Sequence, residues 1–239
     1  MLRNCVRVLC AAVLLLGLSS TARATLLVAP GTNAAVEGSV NQRLVIGNGT
    51  GTTMTFQWDI PAAQLTAMVG SSISAIGFRL DSGAPSFAAG FTITQWDLTL
   101  SGSVNSFGSL SALIASNIAG DAVLVHSGAL VLPALPGGAS PNAFFMIDFT
   151  TPFTYAGGDL LLTLVNSNNL LFAVDANAVD ANGTTVGCIS AGCTTGDVGF
   201  YNYPITAFQF GAAAVPEPAS LTLLAAALSG LGLVRRRCG

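Results

Sequence analysis

Between Thr25 and Ala214 the chain is interrupted about every ten residues by Gly, Pro, Ser or Asn, and the stretches between interruptions are short and apolar. This spacing leaves little room for long helices. A βαβ rhythm needs a helical pattern of about 10–15 residues between strands, and none is present. The pattern predicts an all-β, antiparallel sandwich. Candidate strands are residues 26–29, 43–47, 52–58, 72–80, 91–103, 122–126, 143–149, 159–165, 170–175 and 205–210. In SISAIGFRLD, Ile76, Phe78 and Leu80 share one face and Arg79 and Asp81 the other. In ITQWDLTL, Trp96, Leu98 and Leu100 alternate with Asp97 and Thr99, while Ile93 falls on the wrong parity, which predicts a bulge near Gln95. Two segments, 61–68 and 109–116, are expected to be helical, the first opening on a proline.

Charge narrows the function classes. Lysine is absent from the 239 residues, and only 8% are charged. Between Thr25 and Ala214 ten acids face two bases, Arg43 and Arg79, for a net charge of −8. Binding nucleic acid depends on Lys and Arg displacing counterions from phosphates, so nucleic acid is excluded as a partner. About 190 residues can bury a substantial core, and the supply of Phe, Leu, Ile and Val argues against disorder.

The two ends differ from the middle. MLRNCVRVLCAAVLLLGLSSTARA has a positive start at Arg3 and Arg7, an apolar core over 8–18, and a small-x-small step ending at Ala24. This is the pattern of a secretory signal peptide spanning 1–24, with cleavage expected after Ala24. The alternative is a retained membrane anchor. A lipoprotein reading through Cys10 fails because the apolar core follows that cysteine. At the other end, Ala219 to Val234 carries no charge, and Arg235, Arg236 and Arg237 follow it. As a helix this run would measure about 24 Å, short of the roughly 30 Å hydrocarbon core but feasible with adjustment. The arginines act as a membrane stop on the cytoplasmic side. Pro216 and Pro218 keep the preceding residues extended at the outer face.

Pro216-Glu217-Pro218, the apolar run and the arginine triplet stand in that order at 215–239. The arrangement resembles the PEP-CTERM sorting signal, whose alternative is an ordinary single-pass anchor with a chance Pro-Glu-Pro. The resemblance implies an exosortase as partner, acting after the signal peptidase and the general secretion machinery. It also implies a Gram-negative, exopolysaccharide-making host. The protein would be held briefly in the inner membrane, then lose its tail and pass to the cell surface, outer envelope or extracellular matrix.

The middle, 25–214, is expected to be one extracellular β-sandwich domain, and a second resemblance spans about 50–210 of it. FQWDIPAAQL precedes Ile76-Gly77-Phe78-Arg79-Leu80-Asp81, and Phe153-Thr154-Tyr155-Ala156-Gly157-Gly158-Asp159-Leu160-Leu161 comes later. This order is similar to a recurrent type of PEP-CTERM passenger, which implies a jelly-roll-like sandwich of unassigned function. From the residues themselves, Tyr155 is expected to pack under the Gly157-Gly158 turn, with the glycines at positive φ. Arg79 is expected in a buried or half-buried ion pair with Asp81 or Asp97, as structure more than function. Trp58 and Trp96 read first as core; the sharper alternative is a stacking platform for sugar rings.

Of five cysteines, Cys5 and Cys10 leave with the leader and Cys238 lies in the tail. Cys188 and Cys193 remain, flanking a small Gly-containing turn in an oxidising compartment, and a disulfide is the natural reading. The alternative is two reduced thiols. Zinc would need about four ligands, and the single histidine, His126, is remote in sequence. VDANAVDANGTT brings Asp175, Asn177, Asp180 and Asn182 together, so a structural calcium ion is weighed against a plain Asx-rich turn. The stretch lacks the spacing and closing Glu of a calcium loop. No other cofactor is expected.

Catalysis has little to build on. There is one His and no G-x-S-x-G, and GNGTG lacks the Lys of a phosphate loop. The expectation is a non-enzymatic, exosortase-processed surface or exopolysaccharide-matrix protein with a structural or weak glycan-contact role. The alternative is a secreted glycan hydrolase using a carboxylate pair.

Overall fold

A computed structural model describes residues 24–48, 51–167, 171–177, 184–199 and 202–212. The leader before Ala24 and the sorting segment at 215–239 lie outside the described residues. Among the described residues no helix is long and apolar enough to cross a membrane.

Among the described residues there are fifteen strands: β1 (Thr25–Ala29), β2 (Val40–Asn48), β3 (Met54–Ile60), β4 (Ser71–Arg79), β5 (Phe91–Ile93), β6 (Gln95–Gly102), β7 (Val123–His126), β8 (Leu130–Leu132), β9 (Phe144–Thr154), β10 (Leu160–Ser167), β11 (Leu171–Asn177), β12 (Thr185–Cys188), β13 (Asp197–Val198), β14 (Tyr203–Pro204) and β15 (Thr206–Ala212). The strands pair antiparallel throughout. A six-stranded sheet runs β13-β12-β3-β10-β6-β7 and a four-stranded one β1-β15-β4-β9, with smaller sheets β14-β11-β2 and β5-β8. The chain is thus all-β and consistent with a sandwich. Pairing is nested: β5 with β8, β4 with β9, β3 with β10 and β2 with β11. A ribbon of antiparallel chain is therefore folded over itself, successive rungs falling in different sheets.

Alternation explains the core. In β10, Leu160, Leu162 and Leu164 face the main cluster, where they meet Trp58 and Phe56 of β3, Leu98 and Leu100 of β6, and Phe78 and Phe208 of the opposing sheet. Leu161 points the other way, into a smaller cluster with Leu110, Ile114 and Val186. That second cluster exists because the segment 103–118 lies over the outer face of β3 and β10. Gln57 Nε2 donates to the Ile114 carbonyl at 3.2 Å and to Thr163 Oγ1 at 2.9 Å, and Asn117 Nδ2 donates to Gln57 Oε1 at 2.8 Å. Burial of both faces makes β3 buried at every position, so its polar residues need such internal partners.

Each expected strand is present, with three kinds of correction. The run 91–103 is two strands, β5 and β6, parted at Thr94 and joined to different sheets; the off-parity Ile93 marks that switch. The expected helices are only short 3₁₀ turns, at Ala62–Gln64, Thr66–Met68 and Ile114–Asn117. Pro61 precedes the first of these turns, but each is only three or four residues long, too short to propagate a helix. Strands β8, β12, β13 and β14 have no counterpart among the expected ones; each has two to four residues, too short to show alternation.

Candidate functional site

Among the described residues, one arginine and three carboxylates gather where β4 ends. Arg79 is fully buried. Its Nε and Nη2 both lie 2.7 Å from Asp175 Oδ2, on β11. Nη2 also donates to the Val36 carbonyl, and the guanidinium lies 5.0 Å from the centre of the Phe144 ring. The partner is thus neither Asp81 nor Asp97. Asp81 is next to the arginine in sequence but turns into its own loop, accepting the Gly83 N–H at 3.2 Å. Asp97 lies on β6, in a different sheet from Arg79. It accepts from Ser127 Oγ at 2.8 Å, the Gly128 N–H at 2.7 Å and Gln95 Nε2 at 2.9 Å. Burial acts to raise its carboxyl, but these bonds outweigh it and the net shift is downward.

The second oxygen of Asp175, Oδ1, accepts the Gly38 N–H at 2.8 Å. Glycine is required there: a Cβ on residue 38 would sit 2.1 Å from the Ala176 carbonyl oxygen and 2.5 Å from Asp175 Oδ1. Glu37 precedes this glycine, its Oε1 accepting the Ser82 N–H at 2.8 Å. Oxygens of Glu37, Asp81 and Asp175 lie within 4.8 Å of one another. Burial raises the Asp175 and Glu37 carboxyls, while Arg79 lowers both. The cation balancing this acidic knot is the protein's own guanidinium. Of the expected calcium ligands, Asp175 is committed to Arg79 and Gly38. Asn177 takes the Ser39 N–H at 3.3 Å and donates to Asn33 at 3.0 Å. Asp180 and Asn182 lie outside the described residues.

Trp58 and Trp96 are both 0% exposed. Trp58 Nε1 donates to Thr206 Oγ1 at 3.3 Å and Trp96 Nε1 to the Val45 carbonyl at 2.8 Å. They are core residues with satisfied indoles, and the stacking platform is ruled out for both. His126 accompanies Trp96, edge-on at 5.3 Å, with Nδ1 2.8 Å from the Trp96 carbonyl oxygen.

Cys188, at the end of β12, is disulfide-bonded to Cys193, with Cα atoms 6.2 Å apart. Tyr155 packs as expected: its hydroxyl donates to the Gly158 carbonyl, and Gly157 and Gly158 have φ of 111° and 87°. Asp159 then spans two loops, accepting the Ala62 N–H on Oδ1 and the Phe107 N–H on Oδ2, each at 2.8 Å.

One chemically distinctive group was not singled out from sequence. Asp59, in β3, is 0% exposed and accepts the Gly108 N–H at a long 3.3 Å on Oδ2, while Oδ1 is buried without a hydrogen-bond partner. Burial pushes its carboxyl up to about 7; the Gly108 and Asp59 N–H groups pull it down and Asp159 pushes it further up. Strand periodicity could have found it: Asp59 falls on the parity of Thr55 and Gln57, the face opposite Trp58, and only the unforeseen cover over that face makes it buried. No protein-family model, no curated protein and no solved structure matches this chain.

Proposed function

We propose that the chain is an exported, exosortase-processed protein of the cell surface or extracellular matrix, and that its role there is structural. The observation that carries this is the ordered triplet at the C-terminus: Pro216-Glu217-Pro218, an uncharged apolar run, and Arg235 to Arg237. The matching leader at the N-terminus supports it. Strand positions are compatible with both cuts: the first strand starts at Thr25, after the expected leader cleavage, and the last ends at Ala212, before the sorting motif. A disulfide between Cys188 and Cys193 suits an oxidising compartment. The nested pairing of β2 to β11 favours a jelly-roll reading of the sandwich.

The structural role is preferred to a glycan-binding one because the tryptophans that could stack on sugars are enclosed. For glycan hydrolysis, two carboxyls must reach one glycosidic bond, and Asp59, whose raised carboxyl would suit a general acid, is closed to solvent. Mass spectrometry of the protein recovered outside the cells tests the proposal. An N-terminus at Thr25 and a C-terminus near Pro216 to Pro218 are expected. A mature form that keeps Arg235 to Arg237 overturns it.

A further inference from the structure

The Ser106-to-Ser109 turn is part of the cover over β3 and β10. It is closed internally by the Ser109 N–H to the Ser106 carbonyl at 3.0 Å, and Gly108 takes φ of 78°. That conformation aims two successive N–H groups at the sheet, and each meets a carboxylate. Phe107 N–H donates to Asp159 at 2.8 Å, and Gly108 N–H to Asp59 at 3.3 Å. On either side the cover is held without carboxylate side chains, by Gln57 and Asn117 and by backbone: Ser103 N–H to the Asp159 carbonyl at 2.8 Å, Val104 N–H to the Asn117 carbonyl at 3.0 Å, and Ile114 N–H to the Thr194 carbonyl at 3.1 Å. The feet of the cover are thus fixed, and its tip, carrying the 42%-exposed Phe107, rests on two acids.

We propose that the Ser106-to-Ser109 turn is a flap latched by Asp59 and Asp159, and that it lifts when the Asp59 carboxyl loses its proton. A protonated Asp59 is neutral and tolerates enclosure. An ionised one is a buried charge with an unpartnered oxygen and a second carboxylate nearby, which is costly unless water or a cation reaches it. Asp159, at the start of β10, is the charge acting on Asp59, and Tyr203 of β14 is the titratable group that feels Asp59 in turn. No described cation acts on Asp59 to offset its charge. Lifting the turn withdraws the Gly108 backbone from Oδ2 and admits water there; the ionised carboxylate gains more from hydration than from the one long N–H bond it gives up.

The sign follows from linkage. The closed form holds its proton up to about pH 7, whereas a hydrated Asp59 in the lifted form ionises near the ordinary 3.8. Between those values lifting releases a proton, so its equilibrium constant rises with pH, by at most about tenfold per pH unit, and levels off above 7.

Amide hydrogen exchange on the full chain tests this, with rates corrected for intrinsic pH dependence. Protection at Phe107 and Gly108 is expected to fall at least tenfold together from pH 5 to pH 7 and then plateau. Amides at Ser103 and Val104 are expected to keep theirs. In Asp59→Asn, protection at Phe107 and Gly108 is expected to be independent of pH. Because Phe107 is bonded to Asp159, a response confined to Gly108 overturns the flap. So does a flat wild-type profile, an equal loss at all four amides, or a pH response that survives in Asp59→Asn. If the variant does not fold, the wild-type comparison of the four amides decides alone.

Discussion

Replacing Arg79 by Met keeps the aliphatic stem of the side chain and removes its charge. The structure indicates how much this removes. Arg79 and Asp175 are both wholly enclosed, and the pair is made through two guanidinium nitrogens at 2.7 Å. Without the cation, Asp175 becomes a buried, uncompensated charge, with oxygens of Glu37 and Asp81 within 4.8 Å. Removing one partner of such a pair costs about 3–5 kcal/mol. The lost bond to the Val36 carbonyl adds to this. The double variant Arg79→Met/Asp175→Asn should lose less than Arg79→Met alone, since no buried charge remains and the Asn oxygen can still accept the Gly38 N–H. Urea denaturation of wild type, both single variants and the double variant measures the coupling. The loss in Arg79→Met should also shrink as pH falls from 7 towards 4. Burial already raises Asp175 and Glu37 in the folded state, and without Arg79 they rise further, so folding takes up protons and acid relieves the repulsion. If Arg79→Met loses under 1 kcal/mol at pH 7, or if the double variant is the less stable, the picture of Arg79 as balancing cation is wrong.

Other perturbations give equally definite outcomes. Asp59 has a folded-state value of about 7 against an ordinary 3.8, so the stability of its neutral form is fully present at low pH and is lost as pH rises through 7. At about 1.36 kcal/mol per pH unit the loss is bounded near 4 kcal/mol, and Asp59→Asn should be the more stable protein at pH 8 by part of that amount in chemical denaturation. Replacing Cys188 and Cys193 together by Ser reopens a loop of five-residue separation and should cost roughly 2 kcal/mol, read as a lower thermal midpoint that no longer responds to reductant. Tyr155→Phe removes the bond to the Gly158 carbonyl while keeping the ring, and should cost about 1 kcal/mol without altering the m-value.

What the sequence shows and what it hides divide along physical lines. Strands long enough to alternate, such as β4, β6 and β10, are legible because core side chains recur at every second position: Ile76 and Phe78 in the first, Trp96, Leu98 and Leu100 in the second, Leu160, Leu162 and Leu164 in the third. The Tyr155 corner is legible because ring, glycines and turn are adjacent in sequence. The Arg79 partner is not, because Asp175 lies 96 positions away and proximity in sequence favours Asp81. Asp59 looks like an ordinary solvent-facing strand residue until the 103–118 segment is seen to cover it. That cover has no periodicity of its own: it is held by Asn, Gln and backbone bonds, which leave no apolar rhythm to read. Strands β12 to β14, at two to four residues, exist because neighbours already present offer free edges.

The position of β15 between β1 and β4 bears on how the molecule is made. Thr25 pairs with Phe210 and Ala29 with Thr206, so the earliest strand off the ribosome waits for nearly the last. At about 5–20 residues per second, the roughly 180 intervening residues take about 10–40 s to appear. Throughout that interval the first strand has unsatisfied backbone on both sides, a template for the wrong neighbour. A nascent chain of this design therefore carries Thr25–Ala29 unpaired until β15 has appeared, and any product that stops before residue 206 leaves that sheet without the strand that joins β1 to β4.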